Sequence, residues 1–303
     1  MRHGKYRFVA GFLALPVLLY VFYVWVPFGY SFYFSLTRYR GTDVPPVFVG
    51  LDNFTTLFTD TPEFWKALTH NGVILLIMPL VTIVIALIFA FFLNVGGKAK
   101  GGVTSGVRGS KFYRLVFFFP QLLALPIVAV LFQSIYRPDD SGLINGALNK
   151  LGLPKIGFLI DTNIALLSII AVMVWQAVGF YVVLFSAGMS SIPKEIYEAA
   201  DLDGASRWTM FYKVTLPLLW DNIQVGWVYL GIAAFDVFAL VDVLSVNRGG
   251  PSFSTTVLSM EVVNKIGAGN YGMASAMGVM LFFCTLTFAA ISLRVTKRES
   301  IEY

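Results

Sequence analysis

Charge is what this 303-residue chain lacks: only 13% of it is Asp, Glu, Lys or Arg, against roughly a quarter in soluble proteins. With 57% of its residues hydrophobic, an ordinary soluble domain is excluded. Cysteine is nearly absent. Cys284 stands alone in an apolar run, so no intramolecular disulfide can form and the redox compartment stays open. Histidine is as scarce. His3 and His70 lie far apart in the topology derived below, which argues against a metal centre or a histidine-based dyad. The serines have no partnered base, so no catalytic residue is assigned. Gly101 and Gly106 have the spacing of a phosphate loop's two glycines, but Val107-Arg108 follows where Lys-Ser/Thr is required. The chain is therefore expected to hold no nucleotide and to be no enzyme. No internal repeat and no second domain is visible, and residues 1–303 read as a single transmembrane domain.

Long apolar runs are what the chain has in abundance. Six segments reach the ~20 residues that a membrane-spanning helix needs: Phe8–Phe34, Asn71–Val95, Leu115–Tyr136, Ile164–Met189, Leu216–Val246 and Tyr271–Val295. The expected fold class is all-α, a polytopic membrane protein with about six transmembrane helices. Arg2, His3, Lys5 and Arg7 mimic the start of a signal peptide. Phe8–Phe34 is too long for such a peptide's apolar core and shows no clear cleavage site, so it reads as a retained span. Pro16, Pro27, Pro79, Pro120 and Pro126 mark kinks or ends.

The formal charge of +5 does not call for nucleic acid, because the basic residues flank the apolar runs. Fourteen of the 22 Lys and Arg fall on one side, in the N-terminal tail, the acid-free loop Gly96–Arg114, the segment after Met189 and the C-terminal tail. That side is expected to be cytoplasmic, with both termini inside.

Between the fourth and fifth runs lies a stretch too polar for a bilayer, Glu198–Pro217. Pro193 suits a first helical position. From there to Leu202, Ile192, Ile196, Tyr197, Ala199 and Ala200 share one arc of the helical wheel, and Lys194, Glu195, Glu198 and Asp201 the other. Asp203-Gly204 reads as a break, glycine being free to take positive φ. A second short amphipathic piece follows, with Trp208, Phe211 and Tyr212 ringed by Arg207 and Lys213. An ordinary interfacial loop fits this periodicity equally.

The spacing Glu198-Ala199-Ala200, three residues, Gly204, nine residues, Val214, one residue, Leu216-Pro217 resembles the EAA loop of binding-protein-dependent ABC importer permeases. The family pattern has Ile where this chain has Val214. Three outer segments resemble the maltose-type carbohydrate permeases of that group: Phe48–Phe54 (FVGLDNF), Gly142–Asn145 (GLIN) and Gly249-Gly250-Pro251. The resemblance implies a type I importer-like fold and a cytoplasmic coupling helix at about 190–217. Glu198 would face an ATPase, Ala199 and Ala200 would permit close approach, Gly204 would make the turn, and Leu216-Pro217 would close the motif. It further implies a prokaryotic cell membrane, a second permease, two cytoplasmic ATPase subunits and an extracytoplasmic solute-binding protein, with surrounding lipid. No cofactor is expected on this chain; ATP and Mg belong to the ATPase.

Polar groups inside apolar runs are costly and call for a reason. Asp236 and Asp242 sit in the outer half of the fifth run, beside Phe235 and Phe238. An interhelical hydrogen bond or solvation in an outer vestibule accounts for them as well as a solute pathway does. In the pathway reading, Trp175, Gln176 and Tyr181 of the fourth run contribute from a facing helix. Carboxylates and amides would accept sugar hydroxyls while aromatic faces pack on C–H surfaces. Gly272 and Ala276, and Ala274 and Gly278, form two small-residue pairs suited to close helix packing. The function expected is a permease for a carbohydrate, a di- or oligosaccharide. The rivals are a permease of the same superfamily for glycerol phosphate, an amino acid or another solute, and an ATP-independent channel. The orientation has a direct test: a cysteine at position 105 is expected to resist membrane-impermeant thiol reagents in intact cells, and its labelling there would invert the topology.

Overall fold

The computed structural model describes residues 2–41, 44–95, 106, 107 and 109–297, with side chains from Phe8 onward. Lys98, Lys100, Gly101, position 105, Arg108 and Arg298 lie outside the described residues, as do the side chains of Arg2, His3, Lys5 and Arg7.

The described chain is helical apart from one two-stranded ribbon. Helix α1 (Arg2–Tyr20) passes through a π-helical turn, Val21–Trp25, into α2 (Val26–Ser35). Strands β1 (Thr37–Arg38) and β2 (Val47–Phe48) pair antiparallel, with Thr37 opposite Phe48. Then come α3 (Asp52–Thr59), α4 (Pro62–Asn94), α5 (Ser110–Phe118), a 3-10 turn over Phe119–Leu122, α6 (Leu125–Ile135), α7 (Leu143–Lys150) and α8 (Ala165–Ser191). Next are α9 (Lys194–Leu202), α10 (Arg207–Met210), a π-helical turn over Phe211–Thr215, α11 (Leu216–Leu218), α12 (Trp220–Ala233) and α13 (Phe238–Leu244). A 3-10 turn over Pro251–Phe253 leads to α14 (Leu258–Gly267) and α15 (Tyr271–Thr296). Four helical stretches are singly long and apolar enough to cross a membrane. Two others are bent pairs: Ser110–Leu122 with Leu125–Ile135 turn by 97°, and Trp220–Ala233 with Phe238–Leu244 by 53°.

The first bend falls where Pro120 and Pro126 mark a kink in Leu115–Tyr136, whereas no kink was expected within Leu216–Val246, where the second falls. Pro120 falls in the 3-10 turn and Pro126 in the first turn of α6, where a missing N–H costs nothing. The second apolar helix starts at Pro62, well before Asn71, and α3, α7 and α14 lie in the segments between the apolar runs.

The chain packs as two compact units, Met1–Trp65 with Glu261–Cys284, and Lys66–Met260 with Thr285–Tyr303. In the first, the described apolar side chains of α1, the π-helical turn and α2 are almost all exposed within the chain, Phe12, Leu18, Phe22 and Trp25 among them. The Asn53 amide donates to the Ser35 carbonyl at 2.8 Å and the Thr37 carbonyl at 2.9 Å, fastening the end of α2 to the ribbon. A Cβ at Gly272 would overlap the Thr37 carbonyl, and Ala276 is fully buried. That small-residue pair sits in a tight contact, whereas Gly278 has open space around it.

The second unit is built on α8, which buries Ile169, Val172, Val182 and Phe185. Gly179 admits the Phe117 carbonyl of α5 to a separation that any side chain would block. Gly226 of α12 packs on Tyr181 and Phe185, and Gly188 of α8 faces Leu219 and Asn222. On the turn before α7, the Ser141 hydroxyl and then Arg137 hold the Asp139 carboxyl down at about 2. Its lowered value means that its contribution is present above the ordinary carboxylate range and is lost only as pH falls towards 2.

Asn145, buried at the start of α7, donates to the Arg137 carbonyl at 2.8 Å and the Ile156 carbonyl at 2.9 Å, and accepts from the Ile156 N–H at 2.8 Å. Asn145→Ala is expected to orphan these groups and destabilise the protein by about 1–3 kcal/mol. The check is a lowered thermal-unfolding midpoint of the detergent-solubilised protein; an unchanged midpoint would remove Asn145 from the framework.

Candidate functional site

Each bend interrupts a hydrogen-bond ladder, so backbone carbonyls there need new donors. At the first bend Leu123 and Ala124 are extended, and the Gln176 amide of α8 reaches the Leu123 carbonyl at 3.4 Å. At the second, Ala234–Val237 lie between α12 and α13, and the fully buried Asn71 donates to the Ala234 carbonyl at 2.8 Å. Both bends open onto one cavity of about 250 Å3. Its polar lining is Gln121 from the first bend, Asp236 from the second, and Gln176 and Tyr181 from α8. Met78, Met173, Phe180 and Leu230 supply apolar wall. Irregular backbone at membrane depth is tolerated where it lines a polar cavity, and discontinuous helices are where transporters build solute sites. Among the described residues no cation or donor pairs with the Asp236 carboxylate. Acceptors, an amide donor and aromatic faces converging on a polar pocket can bind hydroxyl-bearing solutes.

Three of the six pathway residues expected from sequence, Gln176, Tyr181 and Asp236, meet in this cavity. The other three are elsewhere. Trp175 is one helical step, ~100°, from Gln176, which carries it into a separate apolar groove beside Phe132. Phe235 is buried with its ring centroid 6.4 Å from that of Phe288, and Phe238 packs into the core. Asp242 forms an ion pair with Arg248 at 3.6 Å and is not in the lining. Gln121 had no signal beyond being a polar residue after Pro120.

The second candidate site is the loop that begins at α9. Tyr197 is buried, its hydroxyl 3.3 Å from the Thr215 Oγ1, and Ile196 and Ala200 pack on the core. Pro193 precedes the helix as its cap. Glu198 is half-buried. Ala199 is exposed and so belongs to the outward face, not to the buried arc shared by Ile196 and Tyr197. Gly204 takes φ +74°, and the Ala205 N–H returns to the Ala200 carbonyl at 2.9 Å, closing the helix end. Leu202, 90% exposed, extends this face, as do Trp208 and Tyr212; the exposure of Leu202 was not visible from the wheel. Leu216 is half-buried and Pro217 exposed in α11. Among the described residues no group of His, Cys, Asp and Glu could hold a metal ion.

No protein-family model matches the sequence. The chain is 40% identical over 297 residues to the diacetylchitobiose uptake system permease protein of Streptomyces coelicolor, covering 97% of this chain and 83% of that one. It is 31% identical over 295 residues to the trehalose/maltose transport system permease protein of Thermococcus litoralis, covering 96% and 95%. The multiple sugar-binding transport system permease protein of Streptococcus mutans also matches at 31% over 295 residues, 96% and 95% of the two chains. Among solved structures, a bacterial alginate ABC transporter in complex with an alginate pentasaccharide-bound periplasmic protein shares the fold. Its TM-score is 0.78 at 22% identity, covering 99% of this chain and 97% of that one.

A Cβ on Gly204 would meet open space, so only its backbone conformation restricts the position. Gly204→Val is expected to cost about 1–2 kcal/mol or more in the left-handed region and to refold the loop, whereas Gly204→Asn should be tolerated. Faster tryptic cleavage at Arg207 and Lys213 in the Val variant alone would confirm this; equal cleavage would overturn it.

Proposed function

This chain belongs to the sugar permeases of ABC transporters, and from that premise we propose that it forms half of the membrane pathway of a prokaryotic, ATP-driven importer for a di- or oligosaccharide. The observation that carries the solute site is the meeting of two bent helices at one cavity bearing Gln121, Gln176, Tyr181 and Asp236. A sugar offers hydroxyls to Asp236 and the two amides and C–H faces to Tyr181 and Phe180. An anionic solute would meet repulsion from the Asp236 carboxylate.

In this reading each bent pair counts as one span, giving six, and residues 1–303 serve as one permease domain. The basic loop Gly96–Arg114, both termini and the α9–α11 loop face the cytoplasm, where that loop docks one of two ATPase subunits. Glu198 supplies charge, Ala199 close approach, Gly204 the turn, and Leu202 an apolar contact. Leu216 and Pro217 carry the loop into α12. ATP and its magnesium sit on the ATPase; this chain contributes movement. ATPase closure displaces the loop, and the spans rock to open the cavity alternately to the two sides. A second permease supplies the other half of the pathway. An extracytoplasmic binding protein delivers the solute, as supported by the periplasmic protein bound in the alginate transporter.

Reconstituted complexes test the two sites separately. Glu198→Lys is expected to lose copurification of the ATPase while inserting normally. Asp236→Ala should assemble and hydrolyse ATP normally but lose about two- to tenfold in apparent uptake affinity, the worth of a hydrogen bond or two. Unchanged uptake kinetics in Asp236→Ala would move the solute site elsewhere.

A further inference from the structure

Helix α4 is attached near one end to the α9–α11 loop and near the other to the bend at Ala234 and the segment before α14. Near its C-terminus, Arg207 of the loop donates to the Val95 carbonyl at 2.8 Å, one of the acceptors a helix end leaves open. Phe91 packs on Phe211, ring centroids 5.1 Å apart, and Phe92 on Trp208 at 6.4 Å. Asn94 ties the same end to Arg114 at 2.5 Å and to the Ser186 hydroxyl at 2.9 Å. Toward its other end, Lys66 donates to the Ser252 carbonyl, and His70 Nδ1 to the Thr256 carbonyl at 2.7 Å. Asn71 completes the set. It donates to the Ala234 carbonyl at the bend beside Asp236 and accepts from the Leu258 N–H at the start of α14 at 2.9 Å. One side chain thus satisfies an orphan acceptor at one helix end and an orphan donor at another.

The segment these contacts hold is strained. Asn247, Arg248, Ser252 and Phe253 all have φ between 51° and 59°, a region costly for residues other than glycine. The Ser254 and Thr256 hydroxyls are buried without a hydrogen-bond partner. A backbone held in a costly conformation by contacts from a neighbouring helix can release when that helix shifts.

We propose that α4 is the strut that carries displacement of the α9–α11 loop to the bend at Asp236, with Asn71 as the positioning residue and the 247–256 turn as the element that changes state. This rests on the reading of the loop as an ATPase-docking element. Lys66 and His70 are secondary ties to the turn, and Arg207 is the tie to the loop.

The experiment uses the assembled complex with spin labels at Tyr229→Cys and Phe253→Cys, in a Cys284→Ser background. The label-to-label distance is compared between nucleotide-free and ATP-vanadate-trapped states, so no solute is required. The unmodified strut is expected to give a nucleotide-dependent distance change. Asn71→Ala should reduce that change about fivefold, in keeping with the loss of a coupling free energy, while ATP hydrolysis per complex stays near normal. A residue with a purely structural role would lower assembly and hydrolysis together. Should Asn71→Ala fail to assemble, the Lys66→Met/His70→Leu double variant decides, since both side chains are at least partly exposed and their loss spares the core. A full distance change in either assembled variant overturns the strut and leaves the proposed function standing. No distance change and no hydrolysis in the parent complex sinks both.

Discussion

A backbone carbonyl released from a helix inside an apolar protein must find a donor within the chain, because hydrocarbon offers none. This constraint organises the molecule. At four places an amide side chain meets a carbonyl beside a helix end or bend. Asn53 does so after α2, Gln176 at the 97° bend, Asn71 at the 53° bend and Asn145 before α7. Glycine does the complementary work in the straight helices. Gly179, Gly188 and Gly226 remove side chains where a neighbour comes closest, so that α5 and α12 can pack against α8. The two breaks border a cavity of the second unit lined by Gln121, Gln176, Tyr181 and Asp236.

The cavity and the loop depend on the same framework in different ways. Gln176 both lines the cavity and satisfies the Leu123 carbonyl, so any contact it made with a cavity occupant would compete with its structural duty for one amide. The loop has no such conflict. Tyr197 and Phe211 anchor it in the core, while Ala199, Leu202, Trp208 and Tyr212 remain exposed. A surface offering that much apolar area on an otherwise polar segment suits contact with another protein.

The spans were legible because hydropathy over twenty residues is a strong signal, and the left-handed turn at Gly204 because Asp-Gly after a helical arc has few alternatives. The bends were not. Ala234 to Val237 contains neither glycine nor proline, and the break is fixed by Asn71, more than 160 positions away in sequence. The pathway residues divide for a similar reason. Asp236 and Gln176 are polar groups in apolar runs and so announce themselves, whereas Trp175, Phe235 and Phe238 are aromatic residues for which ordinary packing is the commoner fate. Gly249-Gly250-Pro251 read as a turn, but neither the positive φ of Asn247, Arg248, Ser252 and Phe253 around it nor the ties of Lys66 and His70 to the Ser252 and Thr256 carbonyls is encoded in a local pattern.

At about 250 Å3, the cavity falls short of the roughly 300–1,000 Å3 of pockets that enclose a ligand on their own. In the proposed importer it would act as a wall, recognising only the side of a solute turned towards it. A chain holding such a wall could then be kept through evolution while its companion is exchanged, each new pairing presenting a different enclosure to the solute. Substrate range then becomes a property inherited by pairs of genes, and a change of diet can begin with recombination before any lining residue mutates.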